Sequence, residues 1–197
     1  MKIGIFDSGR GGTTVMSAIQ QLLPSEDYFY IADSEHCPYG EKSDSELYRI
    51  TVRCIQKLRR DYPSIRFIGT EPAIKLATTT GAHEILVLAT PGTIASERTL
   101  SLIHDYATPA QHFTLLPCPG LADTIEHYLD TAPDRIDIKL AELFRAPLPT
   151  PDLVVLGCTH YPLIISHLKK YFPTAKFIDG GEGVAREVAR VKSLISS

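Results

Sequence analysis

Leu153–Leu156 is an unbroken apolar run (LVVL) set between Pro151-Asp152 and Gly157. A short β-branched run with turn residues at both ends predicts a strand covered on both faces, as inside a parallel sheet. Gly157 lets the backbone turn. Pro162 suits the first turn of a helix, where no amide donor is needed. Leu163, Ile164, Leu168, Tyr171 and Phe172 follow at helical spacing, and Pro173 stops the run. Cys158, Thr159 and His160 therefore fall at the carboxyl end of a parallel strand, facing a predicted helix amino terminus. Open α/β sheets bind ligands at that edge. Free amides and the positive helix end favour an anion there, and they lower a cysteine from its ordinary ~8.5. Two readings of Cys158 stand side by side: an ionisable nucleophile or base, or a small buried apolar residue, as most free cysteines are.

The rest of the chain repeats the same strand-then-helix grammar. Lys2–Phe6 reads as the first strand, Asp7-Ser8-Gly9-Arg10-Gly11-Gly12 as its loop, and Thr13–Leu23 as a helix ended by Pro24. The glycine spacing is not GxGxxG and no phosphate-loop lysine follows, so nucleotide binding is not indicated. A tight turn explains the glycines but not Asp7 and Ser8 at a strand's end. Tyr28–Ala32 is the second strand. The loop Asp33–Lys42 after it holds Pro38-Tyr39-Gly40, read either as plain turn chemistry or as a phenol and amides over the same sheet edge. Ser43 and Glu46 form a capping box for a helix to about Arg60, with Leu47, Ile50, Cys54 and Leu58 on its apolar face. Strands are expected at Ile65–Gly69, Glu84–Ala89, Phe113–Leu116 and Phe177-Ile178. Helices are expected at Glu71–Thr80, Ile94–Tyr106, Leu121–Asp130, Ile136–Phe144 and Gly183–Ile195. This alternation predicts a doubly wound parallel α/β protein.

Composition narrows the function classes. The net charge of −3 comes without a basic block, which argues against a nucleic-acid surface. The opening MKIGIFDSG runs straight into a strand and a turn, too short for a signal peptide. No apolar stretch is long enough to span a bilayer, so no membrane partner is expected. The four cysteines contain no CxxC pair, so neither a zinc site nor a redox motif is indicated. Reduced thiols and a cytoplasmic location are the expectation.

Taken in order, Asp7-Ser8-Gly9 with Gly11-Gly12, Pro38-Tyr39-Gly40 and Gly157-Cys158-Thr159-His160-Tyr161-Pro162 resemble glutamate racemase, of the aspartate/glutamate racemase superfamily. Glu71-Pro72-Ala73, Ile85–Thr93, Cys118-Pro119 and Ile178-Asp179-Gly180-Gly181 fall in the family's order as well, so the likeness covers nearly the whole chain. It departs in one place. The family's strand ending in Ala-Cys-Asn-Thr, and the helix after it, are absent: Leu58 runs through Arg59–Ser64 directly into Ile65. Cys37 and Cys54 are the nearest cysteines, and neither has the strand-end setting.

The resemblance implies two similar parallel α/β lobes facing each other, the first one strand short. Residues 1–80 with 181–197 would form the first lobe and 81–180 the second. It implies cofactor-independent interconversion of L- and D-glutamate by cysteine acid/base chemistry, supplying D-glutamate for peptidoglycan. Cys158 would be the second-lobe acid/base, with His160 and Glu126 tuning its proton and Asp7 serving the other cysteine. Ser8, Tyr39, Gly40, Thr93, Thr159 and His160, with Asp7, would hold the substrate's carboxylates and amine. Glu126 also reads as a solvated helix charge, and His160 as a helix cap. No cofactor or metal is expected, the partner is a small amino acid, and a homodimer is expected by analogy. Without the first-lobe cysteine, three activities are weighed: a racemase with a replacement group, a superfamily enzyme that protonates a single face, and a non-catalytic binding protein on the same fold.

Overall fold

The structure is a computed structural model that describes residues 2–37, 39–63 and 65–196. It contains two parallel sheets. β1 (Lys2–Asp7) pairs with β2 (Asp27–Ala32), from Lys2 opposite Asp27 to Asp7 opposite Ala32, with α1 (Gly12–Leu22) as the crossover between them. In β1, Ile3 and Ile5 point into a cluster with Val15 and Ile19 of α1, while Lys2 and Gly4 take the other face. α2 (Asp44–Asp61) follows the loop after β2. Ser43 caps it, its Oγ accepting the Glu46 amide at 3.4 Å. The reciprocal half of the capping box is missing, because Lys42 Nζ donates to the Glu46 carboxylate at 3.0 Å instead.

The next stretch departs from expectation. Among the described residues, Ile65–Gly69 pairs with no strand. A strand in a parallel sheet needs both faces covered. Here Ile68 alone packs into the first cluster, and Phe67 stays exposed beneath the Arg59 guanidinium, 5.7 Å from its ring centre. Among the described residues the first sheet therefore has two strands.

α3 (Ile74–Thr78) starts later than predicted and leads into β3 (Glu84–Ala89). The single helix expected over 94–106 is broken at Ser96 into α4 (Pro91–Ala95) and α5 (Glu97–Tyr106). Ser96 is extended there, and its Oγ caps α5 by accepting the Thr99 amide. Next come β4 (His112–Pro117), α6 (Leu121–Tyr128), α7 (Asp134–Leu143) and β5 (Leu153–Leu156). The helix expected after Cys158 is a 3-10 turn, Tyr161–Ile164, followed by one turn of α8 (Ile165–Leu168). β6 (Lys176–Asp179) and α9 (Gly181–Ser196) complete the chain.

The second sheet has the order β4-β3-β5-β6, all parallel. Its central strands are the two continuous apolar runs, and all of Leu153–Leu156 is buried. Leu86, Leu88, Val154 and Leu156 face α6, α7 and the turn after Cys158, meeting Ile125, Leu140, Tyr161 and Ile164. Ile85, Val87, Leu153 and Val155 face the other way, onto Ala73 and Ala77. Fully burying each such side chain is worth about 1.5–3 kcal/mol. Asp152 ties the strand starts together, its carboxylate accepting the His83 and Glu84 amides, each at 3.0 Å. α9 returns to the first sheet, where Ala185 and Val188 close over Val15 and Ile19. No helix among the described residues is long and apolar enough to cross a membrane.

Candidate active site

β1 and β5 both end on polar residues, and the fold brings those two ends together. Asp7, the last residue of β1, has a carboxylate oxygen that accepts the Gly12 amide at 2.5 Å and the Thr159 hydroxyl at 3.0 Å. The approach is close because Gly11 has no side chain: a Cβ there would stand 2.5 Å from Thr159 Oγ1 and 2.6 Å from His160 Nδ1. Burial raises the Asp7 carboxyl above its ordinary value, against the lowering effects of His160, the Thr159 hydroxyl and two backbone amides.

Cys158 follows β5 and is half-buried. Its sulfur lies 3.8 Å from Nδ1 of the fully buried His160, whose Nε2 meets Glu126 Oε2 at 2.8 Å. The same carboxylate oxygen accepts the Arg10 amide at 2.8 Å. Glu126 is thus a partner of His160, not a solvated charge on α6. His160 lies in the loop before the 3-10 turn and makes no side-chain cap.

The thiol departs from expectation. Burial pushes Cys158 up to about 12, with the Asp7 charge adding to the rise and a backbone bond at His160 opposing it. A lowered value needs a substantial helix pointing at the sulfur. A 3-10 turn and a single helical turn supply little dipole, and desolvation wins.

The remaining expected residues divide. Ser8 is buried behind Asp7. Thr93 shares a hydroxyl contact with Thr90 at 2.9 Å. Gly40 packs against Thr90 and Gly92, so the loop after β2 rests directly on the loop after β3. The Tyr39 hydroxyl is turned back into its own loop, donating to Asp33 at 2.6 Å. Pro38 lies outside the described residues. A cavity of about 140 Å³ opens beside Cys158, lined also by Thr93, Thr159, Glu71, Asp179 and Gly180. Glu71-Pro72 and Asp179-Gly180-Gly181 had served only to mark the resemblance, yet both motifs end at this cavity. Asp7, Ser8, Tyr39, Gly40, Glu126 and His160 stand outside its wall.

Sequence reasoning passed over Cys37. Its side chain bonds to Ser8, and its sulfur lies within 4.8 Å of ligand atoms of Glu126 and His160. Burial, with Glu126 next in weight, raises it to about 11. The available signal was its place immediately before Pro38-Tyr39-Gly40, in a loop crossing the sheet edge. Cys118 is buried in the second core, and Cys54 lies on α2.

No protein-family model matches the chain. Individual relatives do. Glutamate racemase of Ectopseudomonas mendocina is 36% identical over 219 residues, covering 96% of this chain and 81% of that protein. Glutamate racemase of Pseudomonas aeruginosa is 36% identical over 218, covering 97% and 81%. Both alignments are longer than the 197 residues of the chain, so the relatives carry residues that this chain lacks. Among solved structures, Escherichia coli glutamate racemase, in complex with L-glutamate and the activator UDP-MurNAc-ala, superposes with a TM-score of 0.79 at 31% identity, covering 95% of this chain and 80% of that one. Aspartate racemase of Picrophilus torridus shares the fold, with a TM-score of 0.57 at 15% identity. From its strand-end motifs, its two parallel sheets and these likenesses, the chain belongs to the glutamate racemase family.

Proposed function

We propose that this chain interconverts L- and D-glutamate by thiol acid/base chemistry, without a cofactor, and that Cys158 handles the proton on one face of Cα. The observation that carries the proposal is the Cys158–His160–Glu126 series at the carboxyl end of β5, with Cys158 lining a cavity beside Thr93 and Thr159. A Cα hydrogen is a poor acid, so its removal needs a strong base in a dry site with donors for the developing negative charge. A thiol held near 12 is a strong base once ionised. The substrate's ammonium group, arriving beside it, favours the thiolate. His160, backed by the Glu126 carboxylate, takes the thiol proton and returns it. Thr159, Thr93 and the backbone amides of Cys158 and Thr159 hold the substrate carboxylates. Asp7 and Ser8 support the site from the first sheet, with Tyr39 and Gly40 bracing the contact between the two loops.

Racemisation also needs a proton carrier on the opposite face, and Cys37 is the thiol the first sheet brings to this cluster. In support, Cys37 interacts electrostatically with both Cys158 and Asp7. We take residues 1–80 with 181–197 as one lobe and 81–180 as the other, since α9 packs on α1. The product would serve peptidoglycan synthesis in the cytoplasm, from a homodimer as the family analogy suggests.

A second reading, protonation of a single face, is favoured by one observation: among the described residues, Cys158 is the sole thiol lining the cavity. Incubating each glutamate enantiomer with the protein in D2O separates the two. Racemisation with deuterium at Cα of both products supports the two-carrier reading. Exchange confined to one enantiomer, with no inversion, supports the single-face enzyme. Neither exchange nor inversion overturns both.

A further inference from the structure

Residues 65–70 have the outline of a strand without its partner. They run without a turn or bend after α2. The Ile65 amide donates back to the Tyr62 carbonyl at 3.0 Å. Beyond it, among the described residues, no amide of 66–70 and no carbonyl of 65–70 makes a hydrogen bond. The segment is nonetheless held in place: Ile68 packs on the first cluster, and Phe67 lies beneath the Arg59 guanidinium. A groove of about 700 Å³ runs alongside, walled by Ile65, Phe67, Ile68 and Val191 of α9, with Arg59 and Arg66 among them. We propose that this groove binds an extended, acidic segment of another protein, which adds to residues 65–70 as a β-strand. The inference does not depend on the racemase reading.

The backbone supplies the first half of the case. Unpaired amides and carbonyls in a row are a template for strand pairing. Peptides bound in this way take affinity from main-chain hydrogen bonds and specificity from alternate side chains. The straight run matches an ordinary strand in length. The groove beside it falls within the roughly 300–1,000 Å³ of ligand clefts. Its apolar wall gives cover to the side chains that such a strand turns inward.

Charge supplies the other half. Among the described residues, Arg59 and Arg66 make no ion pair. Glu187, also on the groove wall, is held by Arg190 through bonds of 2.7 and 2.8 Å. Two unpaired guanidinium groups thus border an apolar surface. Carboxylates flanking apolar side chains complement that pattern. A second copy of this chain fits less well, because pairing like segment with like brings two more arginines into the same groove. A nucleic acid answers the arginines but leaves the apolar wall unused.

The test uses the full chain and a fluorescein-labelled synthetic peptide that alternates valine and threonine between terminal glutamates, read by fluorescence anisotropy. The expected result is saturable binding of one peptide per chain, weakened by salt. Methylating alternate backbone nitrogens of the peptide removes donors, keeps the charges and weakens binding at least about tenfold. Arg66→Glu in the protein weakens it at least about tenfold as well. Arg145→Glu, at an exposed arginine after α7, leaves binding unchanged. Hydrogen exchange read by mass spectrometry slows at residues 66–70 when the peptide is bound. An unchanged melting temperature shows that Arg66→Glu folds, and the methylated peptide tests the wild-type protein in any case. No binding, equal binding of the methylated peptide, or tighter binding of a single-stranded oligonucleotide overturns the proposal. So does a dimer in which the peptide-free chain already protects those amides.

Discussion

Replacing Gly11 by alanine tests the contact that joins the two sheets. Gly11 has φ −55° and ψ −41°, a conformation open to any residue, so backbone strain plays no part. In free space alanine would stabilise here by about 0.4–1 kcal/mol through a less disordered unfolded chain. Space decides the sign. The new Cβ would stand 2.5 Å from Thr159 Oγ1, 2.6 Å from His160 Nδ1 and 2.8 Å from the His160 backbone nitrogen. The two side-chain atoms can rotate aside, but the backbone nitrogen moves only with the turn after β5. Overpacking of this kind costs about 1–3 kcal/mol, so the net expectation is a loss of about 1–2 kcal/mol. Gly183 in α9 is the control: nothing lies within 4 Å of its added Cβ, so alanine should stabilise by about 0.5–1 kcal/mol. Urea unfolding of both variants reads the two signs at unchanged slope. The Thr159–Asp7 hydrogen bond must also stretch in Gly11→Ala, lowering activity beyond any effect of stability. A Gly11→Ala protein as stable as wild type, or more so, refutes the close approach of β1 and β5.

Two further outcomes follow from the buried polar groups. Glu126→Ala leaves the Arg10 amide and a ring nitrogen of buried His160 without their carboxylate and should cost about 1–3 kcal/mol, whereas Glu126→Gln, which can still accept a bond, should cost clearly less by the same denaturation assay. Cys118 sets an alkaline limit. Its folded thiol is raised to about 12 from 9.0, so the unfolded chain releases its proton first and stability falls as pH climbs past 9. Cys118→Ala should reduce the loss between pH 9 and 10 by about 1 kcal/mol, and an unchanged pH slope would contradict the burial of that thiol.

What could be read from sequence was local. The LVVL run, its glycine and the polar triplet after it specify a buried strand ending in Cys158-Thr159-His160, because a strand buried on both faces must be apolar throughout. Ser43 announced the start of α2 through its own hydroxyl. Most of the failures share one cause, which is that the deciding partner is distant in sequence. Ile65–Gly69 has strand composition, yet pairing depends on neighbours and cover that the chain does not supply there. The expected acidity of Cys158 assumed a full helix, and the chain bends into a 3-10 turn instead. Cys37 carries no strand-end signature, and contacts remote in sequence bring its loop to Glu126, among them the packing of Gly40 against Thr90 and Gly92. Asp7 with Thr159 was legible by resemblance as two site residues, but their direct bond was not, since it spans the two sheets.

The central claim is that the sulfur at Cys158 moves the Cα proton of glutamate. Proton NMR of L-glutamate in D2O, followed with wild type, Cys158→Ser and Cys118→Ser, tests it most directly. The account predicts loss of the Cα signal with wild type and Cys118→Ser, and a rate at least about 10²-fold slower with Cys158→Ser. Wild-type exchange in the Cys158→Ser protein would contradict it.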